Sequence, residues 1–368
     1  MSDVHHQALF EPFQLGSISL KNRVLMAPLT RNRAQPDGTP WQVAADYYAQ
    51  RAGAGLIFTE ATQIAPMGKG YVNTPGIHND DQVAAWREIT KAVHNAGGKI
   101  AVQLWHVGRI SHRSLLPDEA QPLAPSAIRA NSQTFTDDGM VDVSEPRAMT
   151  EDDIKQVIGQ YRRAAENAKA AGFDAVEVHA ANGYLLDQFL RDGSNQRDDA
   201  YGGSAENRTR LLREVVEAVI DVYGADKVGV RLSPTGGFND MHDSNPTDTF
   251  VTAVKALNKY GLAFLHMVET FPGEDSSDAD RAVLKAVRSA WTGAYIANGG
   301  FGAEDGAQAV ALGHADAIAY GRPFIANPDL PRRIRQGASW NDPDDSTFYG
   351  GDEKGYTDYP TLEQQKAA

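Results

Sequence analysis

The residue types able to bind an anion, polarise an oxygen or move a proton fall in a few short stretches. They are Pro28-Leu29-Thr30, Glu60-Ala61-Thr62, Gln103 with Trp105 and His106, His179 with Asn182 and Tyr184, Arg231, Glu269, Asn298-Gly299-Gly300 and Gly321-Arg322. His179 and Asn182 stand three apart. If the chain turns helically there, they project together as two neutral hydrogen-bond donors. Such a pair suits an oxygen that gains negative charge during a reaction, and Tyr184 adds an O–H beside it. Gly299-Gly300 and Gly321-Arg322 offer open backbone N–H groups and a cation for a phosphate, with turn glycines and a surface arginine as the plain alternative. Arg231 has no Asp or Glu within two residues, so once buried it needs an anion from a ligand or an ion pair with Glu60 or Glu269. No His-x-His or close His/Asp cluster accompanies these groups, and no metal is expected.

These stretches share a position in the pattern. Each ends, or directly follows, a short apolar run of the kind that forms a strand covered on both faces: 23–27, 56–62, 99–106, 175–180, 228–234, 263–269, 294–299 and 315–321. Amphipathic segments lie between them, at 81–96, from Thr150 onward, and at 205–223, 247–260, 279–291 and 303–312. Thr150 with Asp153 reads as a capping box, and Gly97, Gly172, Gly224 and Gly261 read as left-handed helix stops. Strand then helix, repeated about eight times, predicts a (β/α)8 barrel, whose chemistry sits at the C-terminal strand ends. One barrel domain is expected over residues 1–368. A long excursion after strand three, 107–149, should carry a hairpin near Asp137-Asp138-Gly139 and lie over the active face. An open doubly wound sheet is disfavoured, because no glycine fingerprint follows the first strand.

Composition excludes several classes. The chain has 368 residues, 42% of them hydrophobic, so it folds around a sizeable core. Its formal charge of −13 opposes nucleic-acid binding. It has no cysteine, hence no disulfide, iron–sulfur cluster or thiolate zinc site. The longest stretch without Asp, Glu, Lys or Arg, 289–303, is interrupted by glycines and falls short of the roughly 20 apolar residues that a membrane span needs. The opening residues show no basic region followed by an apolar one, so no export leader and a cytoplasmic protein are expected.

The motifs taken together resemble the old yellow enzyme family of flavin-dependent ene-reductases. The stretches that carry the resemblance are Asn22-Arg-Val-Leu-Met-Ala-Pro-Leu-Thr-Arg31, Gly70-Tyr-Val-Asn-Thr-Pro-Gly-Ile77, Gln103-Leu-Trp-His-Val-Gly-Arg109, Val178-His-Ala-Ala-Asn-Gly-Tyr-Leu-Leu-Asp187, Tyr201-Gly-Gly-Ser-Ala-Glu-Asn-Arg208 and Ala319-Tyr-Gly-Arg322. The ending from Phe348 to Pro360 matches too, so the likeness runs from about residue 9 to residue 360. It implies a barrel that holds FMN noncovalently. Thr30 would bond the flavin C4 carbonyl, and Pro28, Leu29 and Ala61 would pack on the ring. Gln103 would bond the pyrimidine edge, and Arg231 would meet N1 and O2. Gly299, Gly300, Gly321 and Arg322 would hold the phosphate. His179 and Asn182 would bind substrate oxygen, Tyr184 would deliver a proton, and Tyr71, Trp105 and Tyr349 would shape the pocket. One branch of the family has cysteine where Thr30 stands, and some relatives have a second histidine in place of Asn182.

The expected activity is reduction of the activated C=C bond of an α,β-unsaturated carbonyl or nitro compound, with NADPH or NADH as hydride donor. The expected partner is a small electrophilic alkene, with no nucleic acid and no membrane. Two other classes compete. A barrel glycosidase would use Glu60 and Glu269 as its carboxylate pair. A flavin-binding module without catalysis would keep the phosphate site and have no need of Tyr184. A Schiff-base aldolase is poor, because Lys99 begins its strand rather than ending it.

Overall fold

A computed structural model describes residues 6–271 and 273–367; the first five residues, part of the stretch read for an export leader, lie outside it. Eight parallel strands close into a barrel in chain order: β1 (Val24–Met26), β2 (Ile57–Gln63), β3 (Ile100–Trp105), β4 (Ala175–Ala180), β5 (Val228–Leu232), β6 (Phe264–Val268), β7 (Tyr295–Asn298) and β8 (Ala317–Tyr320). Each lies on its expected run, and the apolar residues between the charged loops are buried on both faces, as the runs imply. Among the described residues, no helix is long and apolar enough to cross a membrane.

A helix follows every strand. Five of the expected ones appear at Asp80–Asn95, Glu151–Ala171, Pro246–Leu257, Asp278–Ala290 and Ala303–Ala311. The segment 205–223 is two helices, Ala205–Arg208 and Arg210–Tyr223. Short helices after β1 (Ala44–Gln50) and β8 (Leu330–Gln336) are too brief to show a clear apolar period. The Thr150 capping box is formed: Asp153 N–H donates to Thr150 Oγ1 at 3.2 Å, and Thr150 N–H to Asp153 Oδ2 at 2.7 Å. Gly172 ends that helix in the left-handed region, whereas Gly224 pairs a positive φ of 83° with an extended ψ of 141° and so starts a new direction.

The two ends of the barrel differ. At the strand starts, an antiparallel hairpin, Phe13–Leu15 with Ile18–Leu20, caps the interior, and Leu15, Ile18 and Leu20 pack with Phe58, Ala101, Phe264 and Ile296. The strand ends instead hold polar side chains pointing inward. The excursion after β3 covers them. Its expected hairpin is present, Gln133–Thr136 with Gly139–Asp142, turning at Asp137-Asp138. It is stitched to the loop after β2: Val72 N–H donates to Phe135 O at 3.0 Å, and Thr134 Oγ1 bonds Gly70 O.

Candidate active site

The His179–Asn182–Tyr184 cluster is built by a turn other than the helical one expected. Asn182 and Gly183 both have positive φ, 60° and 75°, and Tyr184 N–H closes the turn on Ala181 O at 3.3 Å. Glycine is required at 183, since a Cβ there would fall 2.7 Å from Asn239 Cβ and Met241 Cγ. Buried groups hold the turn: Gly183 N–H donates to Asp187 Oδ2 at 2.9 Å, Asn182 N–H to Ser233 Oγ at 2.8 Å, and Asn239 Nδ2 to Asn182 O at 2.8 Å. Arg191 Nε pairs with Asp187 Oδ1 at 2.9 Å. The Asn182 side-chain amide itself makes no hydrogen bond to the described residues.

Three aromatic residues, Trp105 at the end of β3 and Tyr71 and Tyr184 in the loops after β2 and β4, meet beside the turn. Trp105 is fully buried, with Tyr71 stacked on it at 5.8 Å and Tyr184 edge-on at 5.0 Å. The two phenol oxygens are 3.1 Å apart, and the His179 ring is 5.2 Å from the Tyr184 ring. Burial raises both phenols: Tyr71 is pushed up to about 12 and Tyr184 well above the ordinary tyrosine value. Both therefore keep their O–H at neutral pH. Burial, with Arg231 and His266 nearby, holds His179 well below the ordinary histidine value, so its imidazole is neutral. Ala61, Val107, Ile110, Ala130 and Val143 complete the apolar wall around Trp105 and Tyr184.

Arg231 on β5 reaches past β6 to the end of β7, beside the glycine pairs that follow β7 and β8. Arg231 Nη2 donates to Asn298 Oδ1 at 2.7 Å, and Asn298 Nδ2 to Ala319 O at 2.8 Å. Gly300 has φ 73° and open space where a Cβ would stand. Gly321 lies beside Leu29, and Arg322 is exposed at the start of the short helix Arg322–Ala326, over the Phe348 ring at 5.9 Å. Pro28, Leu29 and Thr30 are half-buried after β1. Tyr349 is 64% exposed, on a segment that Arg31 and Arg33 clasp by its carbonyls: Arg31 Nε to Phe348 O at 2.9 Å and Arg33 Nε to Asp352 O at 2.9 Å.

The carboxylates expected for a glycosidase do not face the mouth. A bulge between Phe58 and Ala61 shifts the β2 register on β3, so that Ala61 lies opposite Gln103 and points inward. Glu60 is thereby turned outward, where it accepts from Arg31 N–H at 3.1 Å, while its own N–H donates to Tyr48 Oη at 2.9 Å. Glu269 accepts from the outward-facing Tyr295 Oη at 2.7 Å. Neither pairs with Arg231. Lys99 pairs with Asp174 at 3.2 Å, at the strand starts.

Burial lifts the Glu60 carboxyl from 4.5 to about 7, the Arg31 contacts opposing it. Between those values the native state binds more protons than the unfolded chain, so stability falls as pH rises. This contribution, on the order of 3 kcal/mol, should be present near pH 4.5 and lost by pH 7. Glu60→Gln should flatten that slope in urea unfolding; an unchanged pH profile would refute the assignment.

Sequence reasoning missed two participants. Asn239 lies beside both phenols and the Asn182 backbone. Glu177 is fully buried inside the barrel between Gln103 and His266. An acid inside an apolar strand run was a readable signal for the second; nothing in the sequence marks the first.

The NADH:flavin oxidoreductase / NADH oxidase family model matches residues 8–341. The chain is 45% identical over 362 residues to 12-oxophytodienoate reductase 1 of Oryza sativa subsp. japonica, covering 97% of this chain and 93% of that protein. It is 42% identical to 12-oxophytodienoate reductase 2 of Arabidopsis thaliana, covering 96% of each. Among solved structures, morphinone reductase superposes with a TM-score of 0.93 at 49% identity over 97% of both chains. An old yellow enzyme homologue from Zymomonas mobilis gives 0.92 at 44% identity, covering 96% of this chain and 99% of that one. In sequence, in barrel and in overall length, this chain thus belongs to the NADH:flavin oxidoreductase / NADH oxidase family, the old yellow enzyme family of FMN-dependent ene-reductases.

Proposed function

We propose that the strand ends bind FMN and an activated alkene face to face, and that His179, Asn182 and Tyr184 act on the alkene. The observation that carries this reading is a set of buried polar atoms without partners among the described residues: Arg231 Nε, His179 Nδ1, Asn182 Oδ1 and Trp105 Nε1. Native proteins rarely leave such atoms unpaired, so a ligand rich in acceptors and donors is expected among them. FMN fits: a cation for its pyrimidine edge, apolar side chains for its ring, and glycines for its phosphate. When bound, it supplies the hydride transfer between nicotinamide and alkene.

The chain's own residues divide the remaining work. Arg231 meets the N1 and O2 edge, Gln103 the rest of the pyrimidine, and Thr30 the C4 carbonyl. Pro28, Leu29 and Ala61 pack on the ring, and Gly299, Gly300, Gly321 and Arg322 take the phosphate. The neutral His179 imidazole and the free Asn182 amide hold the carbonyl or nitro oxygen and stabilise its developing charge. Tyr184, which keeps its proton at neutral pH, delivers it to the α-carbon. Tyr71, Trp105 and Tyr349 shape the pocket. The charge of −13 argues against a nucleic-acid partner. The need for reduced nicotinamide favours the cytoplasm.

Nicotinamide and alkene are expected to use this pocket in turn, since the chain has no Gly-x-Gly-x-x-Gly fingerprint for a separate dinucleotide site. A solved structure of morphinone reductase, 49% identical to this chain, is in complex with tetrahydroNAD, in keeping with a nicotinamide as hydride donor. The purified protein should be yellow and release FMN on denaturation. Double-reciprocal plots with an enone should be parallel. A colourless protein that cannot be reconstituted with FMN, or intersecting lines without competition between the two ligands, would contradict the proposal.

A further inference from the structure

Glu177 stands in the middle of β4 with no exposure, and the chemistry described above does not use it. Both of its oxygens are engaged. Oε1 accepts from Gln103 Nε2 at 2.7 Å, and Oε2 is 2.7 Å from His266 Nδ1. Gln103 is its register neighbour on β3. His266 is two strands away on β6, and the path to it is open because the β5 neighbour of Glu177 is Gly229. A Cβ at Gly229 would fall 2.1 Å from the Phe264 ring, so no side chain can stand there. Burial lowers the His266 pKa, and His266 Nε2 has no partner among the described residues. The imidazole is thus neutral, with its proton on Nδ1 and donated to Glu177.

This arrangement decides a question that a side-chain amide leaves open. A glutamine offers a carbonyl at one end and an NH2 at the other, and either can face a ligand. A carboxylate only accepts, so the end of Gln103 facing Glu177 must be the NH2. Gln103 Oε1 is left over, and no donor among the described residues reaches it. We infer that Glu177 is a positioning residue that acts through Gln103, turning the Gln103 carbonyl toward the cofactor so that the mouth offers an acceptor to the N3–H of the flavin pyrimidine. The inference rests on the FMN reading given above. It adds a residue beyond those read from the motifs and assigns one polarity to the Gln103 contact.

Glu177→Gln tests it without changing side-chain volume. An amide at position 177 has a single acceptor oxygen, which the His266 Nδ1–H takes, because moving that proton to Nε2 would leave a buried N–H with no acceptor among the described residues. Its NH2 then faces Gln103, which must turn its own carbonyl to receive it. Every hydrogen bond inside the barrel survives, yet the mouth now presents a donor to a donor. FMN titrated into apoprotein should bind about tenfold more weakly, the scale of one lost hydrogen bond. The visible band of the bound flavin should shift, and the apoprotein should still unfold cooperatively, at a lower temperature because buried Arg231 loses a nearby anion. In a Gln103→Leu background, adding Glu177→Gln should change the FMN dissociation constant no further. A purely structural Glu177 predicts wild-type binding and an unshifted band in the single variant, and that result would overturn the inference. A tenfold effect persisting in the Gln103→Leu background would overturn it as well. Should Glu177→Gln not fold, wild-type apoprotein titrated with FMN methylated at N3 gives the answer: at least tenfold weaker binding than FMN is expected, and equal binding refutes the proposal. Wild-type apoprotein that binds no FMN at all would sink the cofactor reading itself, an outcome separate from any difference among variants.

Discussion

Tyr184→Phe should reduce its flavin at the wild-type rate and pass the electrons on to an enone far more slowly. Reduction of the flavin by nicotinamide calls for hydride transfer alone. Reduction of an enone also calls for a proton at the α-carbon, and Tyr184 holds one that burial makes hard to lose to solvent. Phenylalanine keeps the edge contact on Trp105 and the packing on His179 while removing the O–H. Flavin content should therefore be unchanged. Reoxidation by cyclohexenone should slow by roughly 10²–10⁴-fold, the range of a lost general acid. Nitroalkenes should suffer less, because a nitronate is stable enough to leave unprotonated. Stopped-flow traces of the two half-reactions separate these effects. Reoxidation at the wild-type rate would place the proton source elsewhere, with Tyr71, 3.1 Å from the Tyr184 oxygen, the first group to examine.

The second large effect is expected at Arg231. Arg231 is 6% exposed, spends one N–H on Asn298 and leaves Nε without a partner among the described residues. Burial lowers its pKa, against the pull of Glu177. Arg231→Met keeps an unbranched side chain and removes the charge. Hydrogen bonds to charged groups contribute about 1.5–3 kcal/mol, so FMN should bind roughly 10–150-fold more weakly. Stability should fall too, since the carboxylate of Glu177 loses a nearby cation inside the barrel. Arg322→Ala should cost less, because Arg322 is exposed and works in water. Fluorescence titration of the two apoproteins and their urea unfolding curves check this. Unchanged FMN affinity in Arg231→Met would mean that the arginine only balances Glu177.

The barrel was readable because its signal is local. Strands buried on both faces must be apolar throughout, so each run marked its own strand to within a residue or two, from Val24–Met26 to Ala317–Tyr320. The Thr150–Asp153 cap and the hairpin at Asp137-Asp138-Gly139 were legible for the same reason, since their partners lie a few residues apart. The strand-end positions of His179, Asn182, Tyr184, Arg231 and the glycine pairs followed from where those runs stop. Their general chemistry, binding an oxygen or a phosphate, followed from residue type, and the specific roles toward flavin and alkene came from the family resemblance.

What the sequence could not express was direction and partnership across the barrel. Glu60 ends an apolar run as plainly as Gln103 does, but the bulge at Phe58 and Ala61 exists only in the pairing of β2 with β3, and it turns Glu60 outward. The turn at Asn182-Gly183 depends on Asn239 and Met241, more than 50 residues away, which leave no room for a Cβ. Arg231 has no acid beside it in the chain, yet Glu177 lies near it from the next strand. Residue types and strand ends are properties of one segment, and so the sequence by itself determined the barrel and the stock of groups at its mouth. Which of those groups face one another depends on register between strands 30 to 90 residues apart, and only the closed barrel decides that.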